Sequence, residues 1–349
     1  MNPSSYAFAS MNIQENISLK PYNTFQIDKS AKLFVEARTP EEVIKALQIA
    51  KNNESPVFIL GGGSNILLTK DVQAMVIKVT IKGIEVTDET DDHIWVKVGA
   101  GEVWHDFVLH AITNNWAGIE NLSLIPGTVG ASPLQNIGAY GVEIKDVFEQ
   151  LSAINRHTLE EEVFTGEQCH FGYRESIFKN DLKDQYVITS VSYKLTKKPQ
   201  FKVSYGAIQQ TLESRGIQSG DFTIKAISDA VIAIRQSKLP DPKVIGNAGS
   251  FFKNPVLSAD QFKQLQDAYP DVPGYPQTDG VKIPAAWLIE QAGWKGRTFG
   301  EIGVHKNQPL VLVNYGDGDG LAIKTLAENI QSDISSKFGI NLFPEVNFI

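Results

Sequence analysis

The chain has 349 residues, of which 42% are hydrophobic and 21% charged, and its 32 basic and 40 acidic residues give a formal net charge of -8. These ordinary globular values exclude a disordered chain, a collagen and a coiled coil. The acidic balance argues against nonspecific nucleic-acid binding, because a phosphate backbone would be repelled on average. From the length we expect two or three domains.

Cysteine and targeting signals narrow the class further. The single cysteine, Cys169, excludes a disulfide within the chain and a Cys-rich zinc site. The first twenty residues lack the apolar core of a signal peptide, and no run of about 18 apolar residues predicts a membrane helix. The histidines show no metal-ligand spacing. We therefore expect a cytoplasmic protein with no metal site and no membrane partner.

The first predicted elements alternate between helices and strands. Thr39 can cap a helix in which Pro40 takes the first position and Glu42 completes a capping box. Residues 57–60 form a short apolar run typical of a buried strand. Further strands are predicted over 75–79 and 94–98, and a further helix over 103–113.

An unusual loop region follows the predicted helix over 103–113. Residues 125–141 are rich in glycine and proline yet too apolar for a surface linker, so we expect a buried loop region. Residues 186–195 alternate as a half-buried strand does. Helices are predicted over 228–236, 258–269, 284–292 and 321–338, with Gly339 ending the last one, and an edge strand containing Pro344 over 341–349. Strands dominate the first two-thirds and helices the last third, which favours an α+β architecture.

Residues 61–65 read Gly-Gly-Gly-Ser-Asn directly after a predicted strand. Three glycines let backbone N–H groups converge on an anion, and Ser64 and Asn65 add donors. A phosphate or diphosphate is the natural ligand, and a simple tight turn is the alternative. The dinucleotide fingerprint G-x-G-x-x-G is absent because Ile66 takes its sixth position, so a Rossmann fold is not predicted.

Two further positions are candidates for chemistry. Ser250 lies in a glycine turn beside Phe251 and Phe252, which argues against an open surface position, although turn serines are usually structural. The hydrolase pattern G-x-S-x-G is not met, because Phe252 takes its last position. Arg174 follows Tyr173, and an arginine there suits bidentate contact with a carboxylate or phosphate, with a surface salt bridge as the alternative.

Charged residues near the C-terminal third add weaker signals. Arg235, Lys238 and Lys243 place three cations within nine residues, which indicates an anion pocket or a solvated face. Glu345 lies in an apolar tail, where a carboxyl group can have a raised pKa and act as an acid, or lie on a strand surface. The Gly-Asp repeat at 316–320 lacks the glutamate of a calcium loop and predicts a turn.

A series of short segments along nearly the whole chain resembles one protein family. The segments are Asn23-Thr24-Phe25, residues 61–65, Ile125-Pro126-Gly127, residues 135–141, Gly172-Tyr173-Arg174, residues 238–254 and Pro344-Glu345-Val346. In this order they resemble the UDP-N-acetylenolpyruvoylglucosamine reductases of bacterial cell-wall synthesis. Many members read Pro-Glu-Val-Arg near the C-terminus, whereas this chain has Asn347, which removes a cationic contact there.

The resemblance implies FAD bound noncovalently in an α+β region of the vanillyl-alcohol-oxidase/PCMH type. It implies FAD-binding subdomains at 1–79 and 80–225 and a C-terminal α+β domain for the UDP-sugar at 226–349, with the tail 342–349 returning to the active site. The residues implied to bind FAD are Gly61, Gly62, Gly63, Ser64, Asn65, Gly130, Ser132, Gln135, Asn136, Ile137 and Gly141.

The implied activity is NADPH-dependent, FAD-mediated reduction of the enolpyruvyl double bond of UDP-N-acetylglucosamine enolpyruvate to UDP-N-acetylmuramate. Hydride addition moves negative charge toward the carboxylate, and Arg174 with a protonated Glu345 would stabilise it. Ser250 matches the general acid that protonates the adjacent carbon. Implied substrate-binding residues are Tyr205, Arg235, Lys238, Asn254 and Gln291. Tyr205, with Gly206, resembles the type I branch, in which a mobile tyrosine covers the substrate.

Two alternatives to this reductase remain open. One is another flavoprotein of the same fold, such as an oxidase using O2, although residues 130–141 hold no histidine or cysteine for a covalent flavin. The other is a noncatalytic nucleotide-sugar or flavin binder, against which the presence of Ser250, Arg174 and Glu345 argues. We expect a monomer whose partners are NADPH and the enolpyruvyl sugar, and no nucleic acid.

Overall fold

The computed structural model describes residues 11–205 and 207–349, and the expectations for residues 1–10 and for Gly206 lie outside the described residues. The strands are β1 (Gln14–Ser18), β2 (Ser30–Ala37), β3 (Val57–Leu60), β4 (Ile66–Leu67), β5 (Val72–Val79), β6 (Ile84–Glu89), β7 (His93–Gly99), β8 (Gly138–Ala139), β9 (Val142–Glu143), β10 (Phe148–Asn155), β11 (Glu161–Thr165), β12 (Tyr186–Thr196), β13 (Gly246–Asn247), β14 (Val256–Leu257), β15 (Tyr275–Gln277), β16 (Gly280–Lys282), β17 (Thr298–Phe299), β18 (Ile302–Val304), β19 (Leu312–Asn314) and β20 (Asn347–Phe348). The helices are α1 (Pro40–Asn52), α2 (Trp104–Thr113), α3 (Ile208–Ser214), α4 (Ile224–Lys238), α5 (Ala259–Ala268), α6 (Ala285–Gln291) and α7 (Gly320–Phe338). The predicted helices and strands up to 113 are all present, and so are the later helices.

The described chain forms two compact units. The first unit contains residues 11–17, Ala31–Gly62 and Gln73–Ser237. The second contains Ser18–Ser30, Gly63–Val72 and Lys238–Ile349. The chain therefore passes between the units more than once, and the division at 79 and 225 expected from the sequence stays a prediction.

Two sheets organise the first unit. One has the strand order β1-β2-β5-β3, with β3 parallel to β5, and the other has the order β11-β10-β12-β7-β6. One apolar cluster takes residues from both sheets and from α1 and α2, including Ile77, Leu47, Phe107 and Tyr193. Burial of such a cluster is the main source of the stability of a domain of this size.

Helix α1 begins as the local sequence predicts, with one difference. The Thr39 hydroxyl accepts a hydrogen bond from the Glu42 N–H at 3.2 Å, and Pro40 takes the first helical position. The Glu42 carboxylate accepts from the Arg38 N–H at 2.7 Å, one residue before the cap. The predicted capping box is therefore wrong in its second half, although the same side chain still satisfies a backbone donor near the helix start.

Strand β12 is more buried than its sequence pattern predicts. Residues 187–191 are all buried, because β12 pairs with β10 on one side and β7 on the other. Of the polar residues that suggested a solvent face, Thr189 and Ser190 are small and buried, whereas Ser192 is half-buried and Lys194 is exposed. The Thr189 hydroxyl donates to the Ser152 carbonyl at 3.2 Å, which removes the cost of burying it. The half-buried assignment is therefore wrong over residues 187–191, while residues 191–195 alternate as predicted.

The second unit has short antiparallel sheets and three helices. The sheets have the orders β13-β19-β18-β17 and β14-β16-β15. Helix α7 ends where predicted, with Gly339 in the left-handed region at φ 66. The tail is strand only at β20, which pairs in parallel with β4, while Pro344 makes one isolated bridge with Phe252. A strand over all of 341–349 is therefore wrong, since proline cannot donate to a ladder.

Neither a membrane-spanning helix nor a metal-binding cluster is present among the residues that the structure describes. Between residues 11 and 349, leaving out Gly206, we find no helix with the length and apolar character needed to cross a bilayer. Within the same described ranges, no group of three or more His, Cys, Asp or Glu side chains is arranged to hold a metal ion.

Candidate active site

The first two glycines of residues 61–65, here called the glycine loop, belong to the first unit and leave no room for side chains. A Cβ at Gly61 would lie 2.8 Å from Thr128 Oγ1, and one at Gly62 would lie 2.8 Å from the Gly127 Cα. At Gly130 a Cβ would lie 2.6 Å from the Ala100 Cβ. Such close backbone packing fits a cradle in which main-chain N–H groups approach a phosphate.

The rest of the glycine loop belongs to the second unit. Gly63 has φ 62, and a Cβ there would lie only 1.9 Å from the Tyr22 carbonyl oxygen. The Gly63 carbonyl accepts a hydrogen bond from the Thr24 N–H at 3.0 Å. Both the backbone conformation and this close approach require glycine, so the loop has a defined conformation before any ligand binds. Ser64 and Asn65 follow it, both half-buried.

Residues 130–141, here called the flavin segment, are held by buried polar contacts in the first unit. The Ser132 hydroxyl donates to the Val129 carbonyl at 2.7 Å and lies 2.9 Å from the Tyr193 hydroxyl. Burial raises the pKa of Tyr193, so its hydroxyl stays protonated. The Ile137 N–H donates to the Ser132 carbonyl at 3.2 Å. The buried side chain of Ser132 therefore holds the flavin segment against the core of the first unit.

The buried side chain of Asn136 connects the flavin segment to neighbouring parts of the first unit by hydrogen bonds. Its Nδ2 donates to Glu143 Oε2 and to the Gly172 carbonyl, each at 3.0 Å, and its Oδ1 accepts from the Lys145 N–H at 3.2 Å. Its backbone has φ 43, which asparagine tolerates better than most residues. These bonds tie the segment to the loop that contains Arg174. Gln135, its half-buried neighbour, lies on the same segment.

Arg174 lies against the flavin segment. Its Nη2 donates to the Gly138 carbonyl at 2.6 Å, and its Nη1 lies 4.0 Å from Glu143 Oε1. Its guanidinium carbon lies 5.4 Å from the centre of the Tyr173 ring. The residue has φ 56, an unfavourable conformation for a side chain of this size. The surface salt bridge considered from sequence does not describe this half-buried, multiply contacted arginine.

Gly141 and Tyr205 are neighbours in the first unit. Gly141 has φ 79, and a Cβ at that position would lie 3.4 Å from the Tyr205 Cβ. The Tyr205 side chain is 54% exposed, which is high for an aromatic residue. The structure therefore brings the tyrosine expected to cover a substrate to the end of the flavin segment.

His105 and Arg235 both bond to the turn before the flavin segment, and His105 was not predicted from the sequence. His105 Nδ1 accepts from the Leu124 N–H at 2.9 Å, and Arg235 Nε donates to the Leu124 carbonyl at 3.2 Å. Burial lowers the pKa of His105, and the attraction of Asp106 offsets this in part. Burial also lowers the pKa of Arg235. Leu124 has φ 59, so these two bonds maintain a backbone conformation that leucine alone disfavours.

Ser250 is presented on a rigid turn in the second unit. The buried Asn247 accepts from the Gly249 N–H through Oδ1 at 2.9 Å, and Gly249 has φ 70. Phe251 and Phe252 are 0% and 1% exposed, whereas Ser250 is exposed. The expectation that two aromatic neighbours keep Ser250 off the open surface is wrong. They turn into the core and leave the hydroxyl accessible.

The C-terminal tail connects Ser250, Glu345 and the glycine loop within the second unit. The Glu345 N–H donates to the Phe251 carbonyl at 2.8 Å, next to Ser250 in the chain. Asn65 Nδ2 donates to the Glu345 carbonyl at 3.1 Å. The backbone N–H and the Nδ2 of Asn347 each donate to the Asn65 carbonyl at 3.0 Å. Asn347, the departure from the family pattern, therefore acts in this network as a neutral hydrogen-bond donor.

The remaining predicted substrate residues of the second unit are more dispersed. Asn254 Oδ1 accepts from the Ala285 N–H at 2.9 Å and so caps the start of α6. Gln291 lies at the other end of that helix, about 10 Å away at 1.5 Å per residue, and its carbonyl accepts a hydrogen bond from Lys337 Nζ. Lys238 is exposed at the last position of α4. The structure thus does not gather Asn254 and Gln291 at one point.

A lysine beside the glycine loop was also missed. Lys78 lies on β5, is half-buried, and donates from Nζ to the Gly61 carbonyl at 3.4 Å. Burial lowers the pKa of Lys78. In the sequence, Lys78 is a lysine within the apolar strand predicted over 75–79, and nothing around it indicates the neighbouring glycine loop.

Comparison with known proteins gives matches over most of the chain. Residues 31–157 match a family described as "FAD binding domain", and residues 241–349 match "UDP-N-acetylenolpyruvoylglucosamine reductase, C-terminal domain". The UDP-N-acetylenolpyruvoylglucosamine reductase of Flavobacterium johnsoniae is 54% identical over 341 residues, covering 97% of this chain and 100% of the relative. That of Pseudomonas aeruginosa is 48% identical over 341 residues, covering 97% and 99%.

Solved structures support the same fold. The Thermus caldophilus reductase of this name aligns with a TM-score of 0.68 at 23% identity, covering 97% of this chain and 99% of that one. The 6-hydroxy-D-nicotine oxidase of Arthrobacter nicotinovorans aligns with a TM-score of 0.55 at 12% identity, covering 98% and 90%. The predicted α+β FAD-binding fold with a C-terminal domain is confirmed. The chain belongs to the UDP-N-acetylenolpyruvoylglucosamine reductase family, as a flavin-dependent oxidoreductase with FAD as its cofactor.

Proposed function

We propose that this protein uses NADPH to reduce the enolpyruvyl double bond of UDP-N-acetylglucosamine enolpyruvate, giving UDP-N-acetylmuramate for peptidoglycan. The observation that carries the proposal is the set of hydrogen bonds made by the C-terminal tail. Asn65 of the glycine loop donates to the Glu345 carbonyl, and the Glu345 N–H donates to the carbonyl of Phe251, the residue after Ser250. Asn65 of the glycine loop, the backbone of Glu345 and the turn with the exposed Ser250 are thereby joined within the second unit. The two relatives, 54% and 48% identical, have the reductase name.

The first unit and the glycine loop fit FAD. The positions at Gly61, Gly62 and Gly130 admit no Cβ, which leaves the backbone as the binding surface. We assign the diphosphate to the glycine loop and the flavin and ribityl chain to the flavin segment, without a covalent link. Bound there, FAD would supply the hydride chemistry that links NADPH to the substrate.

Arg174 and Glu345 would stabilise the charge that develops on the substrate carboxylate. Reduction of a double bond conjugated to a carboxylate moves negative charge onto the carboxylate oxygens. A guanidinium and a protonated carboxyl group are suitable partners for such charge. The bond from Arg174 to the Gly138 carbonyl and the bonds from the Glu345 backbone hold both residues before substrate arrives. Such preorganisation avoids rearrangement during the reaction.

Ser250 would donate the proton that completes the reduction. A serine hydroxyl is a weak acid, but the enolate carbon is a strong base, so correct placement can suffice. Asn247 and Gly249 fix the turn that presents the exposed hydroxyl. The proton leaves Ser250 Oγ for the carbon next to the carboxylate, and solvent restores it.

Substrate binding is assigned to residues with different amounts of support. Lys238 is an exposed cation suited to the diphosphate of the sugar nucleotide. The exposed ring of Tyr205 can cover the bound substrate, as in the type I branch. Asn254 already uses Oδ1 on α6, which leaves its Nδ2 as the donor for a ligand. Arg235 donates a hydrogen bond from Nε to the Leu124 carbonyl. The side chain of Gln291 is exposed.

The wider setting is proposed from the sequence. We place the protein in the cytoplasm, as a monomer that takes NADPH and the enolpyruvyl sugar as its small-molecule partners. The division into FAD-binding parts at 1–79 and 80–225 and a substrate domain at 226–349 belongs to the same proposal.

The test is an anaerobic two-step absorbance titration of the purified protein. Loss of the flavin band on adding NADPH and its return on adding UDP-N-acetylglucosamine enolpyruvate would support both half-reactions. Loss without return would reject the substrate and keep a flavoprotein. Steady O2 consumption with a hydroxylated substrate would favour an oxidase, and no flavin band after reconstitution with FAD would reject the cofactor assignment.

A further inference from the structure

Asn121 is a buried residue whose side chain bonds to two separate segments of the first unit. It lies in the single helical turn Glu120–Leu122 and is 2% exposed. Its Nδ2 donates to the Tyr140 carbonyl at 3.0 Å and to the Lys202 carbonyl at 2.8 Å. An asparagine amide nitrogen has two N–H donors, so both are used to join two parts of the chain that are remote in sequence.

Residues 199–205, here called the tyrosine segment, lead to Tyr205, whose ring is assigned to cover the substrate. All of these residues are described by the structure, and they belong to no helix or strand. A ladder of backbone hydrogen bonds therefore does not fix the segment. Phe201 and Val203 pack against the same apolar cluster of α3 and α4 as Tyr140 does. The position of the segment thus depends on this packing and on side-chain bonds.

The tyrosine segment meets the flavin segment beside the two bonds of Asn121. A Cβ at Gly141 would lie 3.4 Å from the Tyr205 Cβ. Gly141 directly follows Tyr140, and Lys202 lies three residues before Tyr205. Both acceptors of the Asn121 amide are therefore close in the chain to the point of contact. The amide holds the two segments together where the ring of Tyr205 begins.

We propose that Asn121 is a positioning residue that holds the tyrosine segment against the flavin segment and so places Tyr205 for covering the substrate. The proposal rests on the substrate and on the role of Tyr205 in the proposed function. A loop that is already held near its bound position loses less conformational freedom when the ligand arrives, which strengthens binding.

The competing role is purely structural, in which Asn121 only stabilises the backbone around Tyr140. The two roles differ in how a loss at Asn121 combines with a loss at Tyr205. A structural role weakens binding whether or not the ring is present, so the two losses add. A role that acts through the ring is without effect once the ring is removed, so the losses are not additive.

The experiment is a double-mutant cycle with N121A, N121S, Y205A and the double variant N121A/Y205A. Dissociation constants for UDP-N-acetylglucosamine enolpyruvate are measured from the change in flavin absorbance of the oxidised, FAD-loaded protein. FAD affinity and thermal unfolding are recorded for the same variants. K202M is the matched control, because it removes the ion pair of the exposed Lys202 with Asp146 at 3.1 Å and keeps the carbonyl to which Asn121 bonds.

We expect N121A and N121S to bind the sugar about two- to tenfold more weakly, the range that loss of such hydrogen bonds produces. Y205A should also bind it more weakly, and the double variant should match Y205A within about twofold. K202M should change the affinity by less than about twofold, because an exposed ion pair contributes little. FAD affinity should be unchanged in all four single variants.

Additive losses in N121A and Y205A would overturn the proposal, because they would show that Asn121 acts independently of the ring. Full sugar affinity in N121A would overturn it too, as would a loss in K202M as large as that in N121A. A fall in FAD affinity that accounts for the weaker sugar binding would favour the structural role.

A further variant applies if neither Asn121 variant folds. Two glycines inserted after Val203 lengthen the connection between Lys202 and Tyr205 and leave both bonds of Asn121 in place. Weaker sugar binding in this variant, with no added loss when Y205A is also present, supports the proposal, and unchanged binding rejects it. Failure of the unchanged protein to bind the sugar would instead reject the proposed function. Full affinity in Y205A would reject the substrate-covering role of Tyr205, on which the role of Asn121 depends.

Discussion

The side-chain amide of Asn65 donates a hydrogen bond to the carbonyl of Glu345 at 3.1 Å, across a sequence separation of 280 residues. The Asn65 carbonyl in turn accepts from the backbone and the side chain of Asn347. Asn65 of the glycine loop thus bonds to the tail residues on both sides of Val346. The position of the proposed catalytic carboxyl group and the conformation of the glycine loop are therefore mechanically linked within the second unit.

Replacement of Asn347 by alanine tests this link. The Nδ2 bond to the Asn65 carbonyl is lost while the backbone bond stays, so we expect a modest loss, about 0.5–1.5 kcal/mol, corresponding to roughly a two- to tenfold fall in kcat. FAD affinity should change little. Asn341→Ala, at an exposed tail position, is the control. Equal kcat values for the two variants would contradict the link.

Ser250→Ala should separate the two half-reactions. Loss of a positioned proton donor typically reduces the rate by about 10²–10⁴-fold, so reoxidation of the reduced enzyme by the enolpyruvyl sugar should slow by that amount. Reduction by NADPH should proceed at the original rate, because it needs no proton from Ser250. Stopped-flow absorbance at the flavin band measures both steps. Ser219→Ala, at another exposed serine, is the control, and an unchanged second step in Ser250→Ala would remove the acid assignment.

Gly62→Ala tests the cofactor cradle. The added Cβ would meet the Gly127 Cα at 2.8 Å, and since the Gly127 Cα is a backbone atom, a chain segment must shift. Overpacking of this kind costs about 1–3 kcal/mol, which corresponds to FAD binding about 5- to 150-fold weaker if it falls on the bound state. Gly220→Ala is the matched control, because a Cβ there has nothing within 4 Å. Titration of the FAD-free proteins with FAD measures the difference. Similar FAD affinities in the two variants would contradict the assignment of the glycine loop to FAD binding.

Stability should fall on mild acidification, in part through His105. Burial lowers the pKa of this imidazole below its ordinary 6.5, and its Nδ1 must be unprotonated to accept from Leu124. The unfolded chain then binds the proton more readily, so this contribution is complete above pH 6.5 and is lost as the pH falls through the lowered value. His305, whose pKa burial also lowers, adds in the same direction.

Chemical denaturation between about pH 5 and 8 measures this dependence. His105→Gln should lower stability at pH 8, because glutamine does not reproduce the Nδ1 acceptor, and should flatten the slope below pH 6.5. His110→Gln, on the same helix, is the control substitution. An unaltered slope in His105→Gln would show that other groups cause the pH dependence.

Local chemistry along the chain was enough to predict most elements and the main motifs. A threonine cap before Pro40, the glycine after α7 and the periodicity of the helices act over a few residues, so the sequence alone indicates them. The glycine loop and Arg174 were identified for the same reason. Their residue types have conformational or hydrogen-bonding properties that hold wherever they occur.

Tertiary structure decided the features that depend on distant neighbours. The burial of residues 187–191 on β12 was one such feature, since small polar residues there could be buried only because partners such as the Ser152 carbonyl were available. Likewise, nothing near Lys78 in sequence indicates Gly61, nothing near His105 indicates Leu124, and nothing near Asn65 indicates Glu345. These pairs exist because packing brings remote segments within hydrogen-bond distance, which residue order alone does not determine.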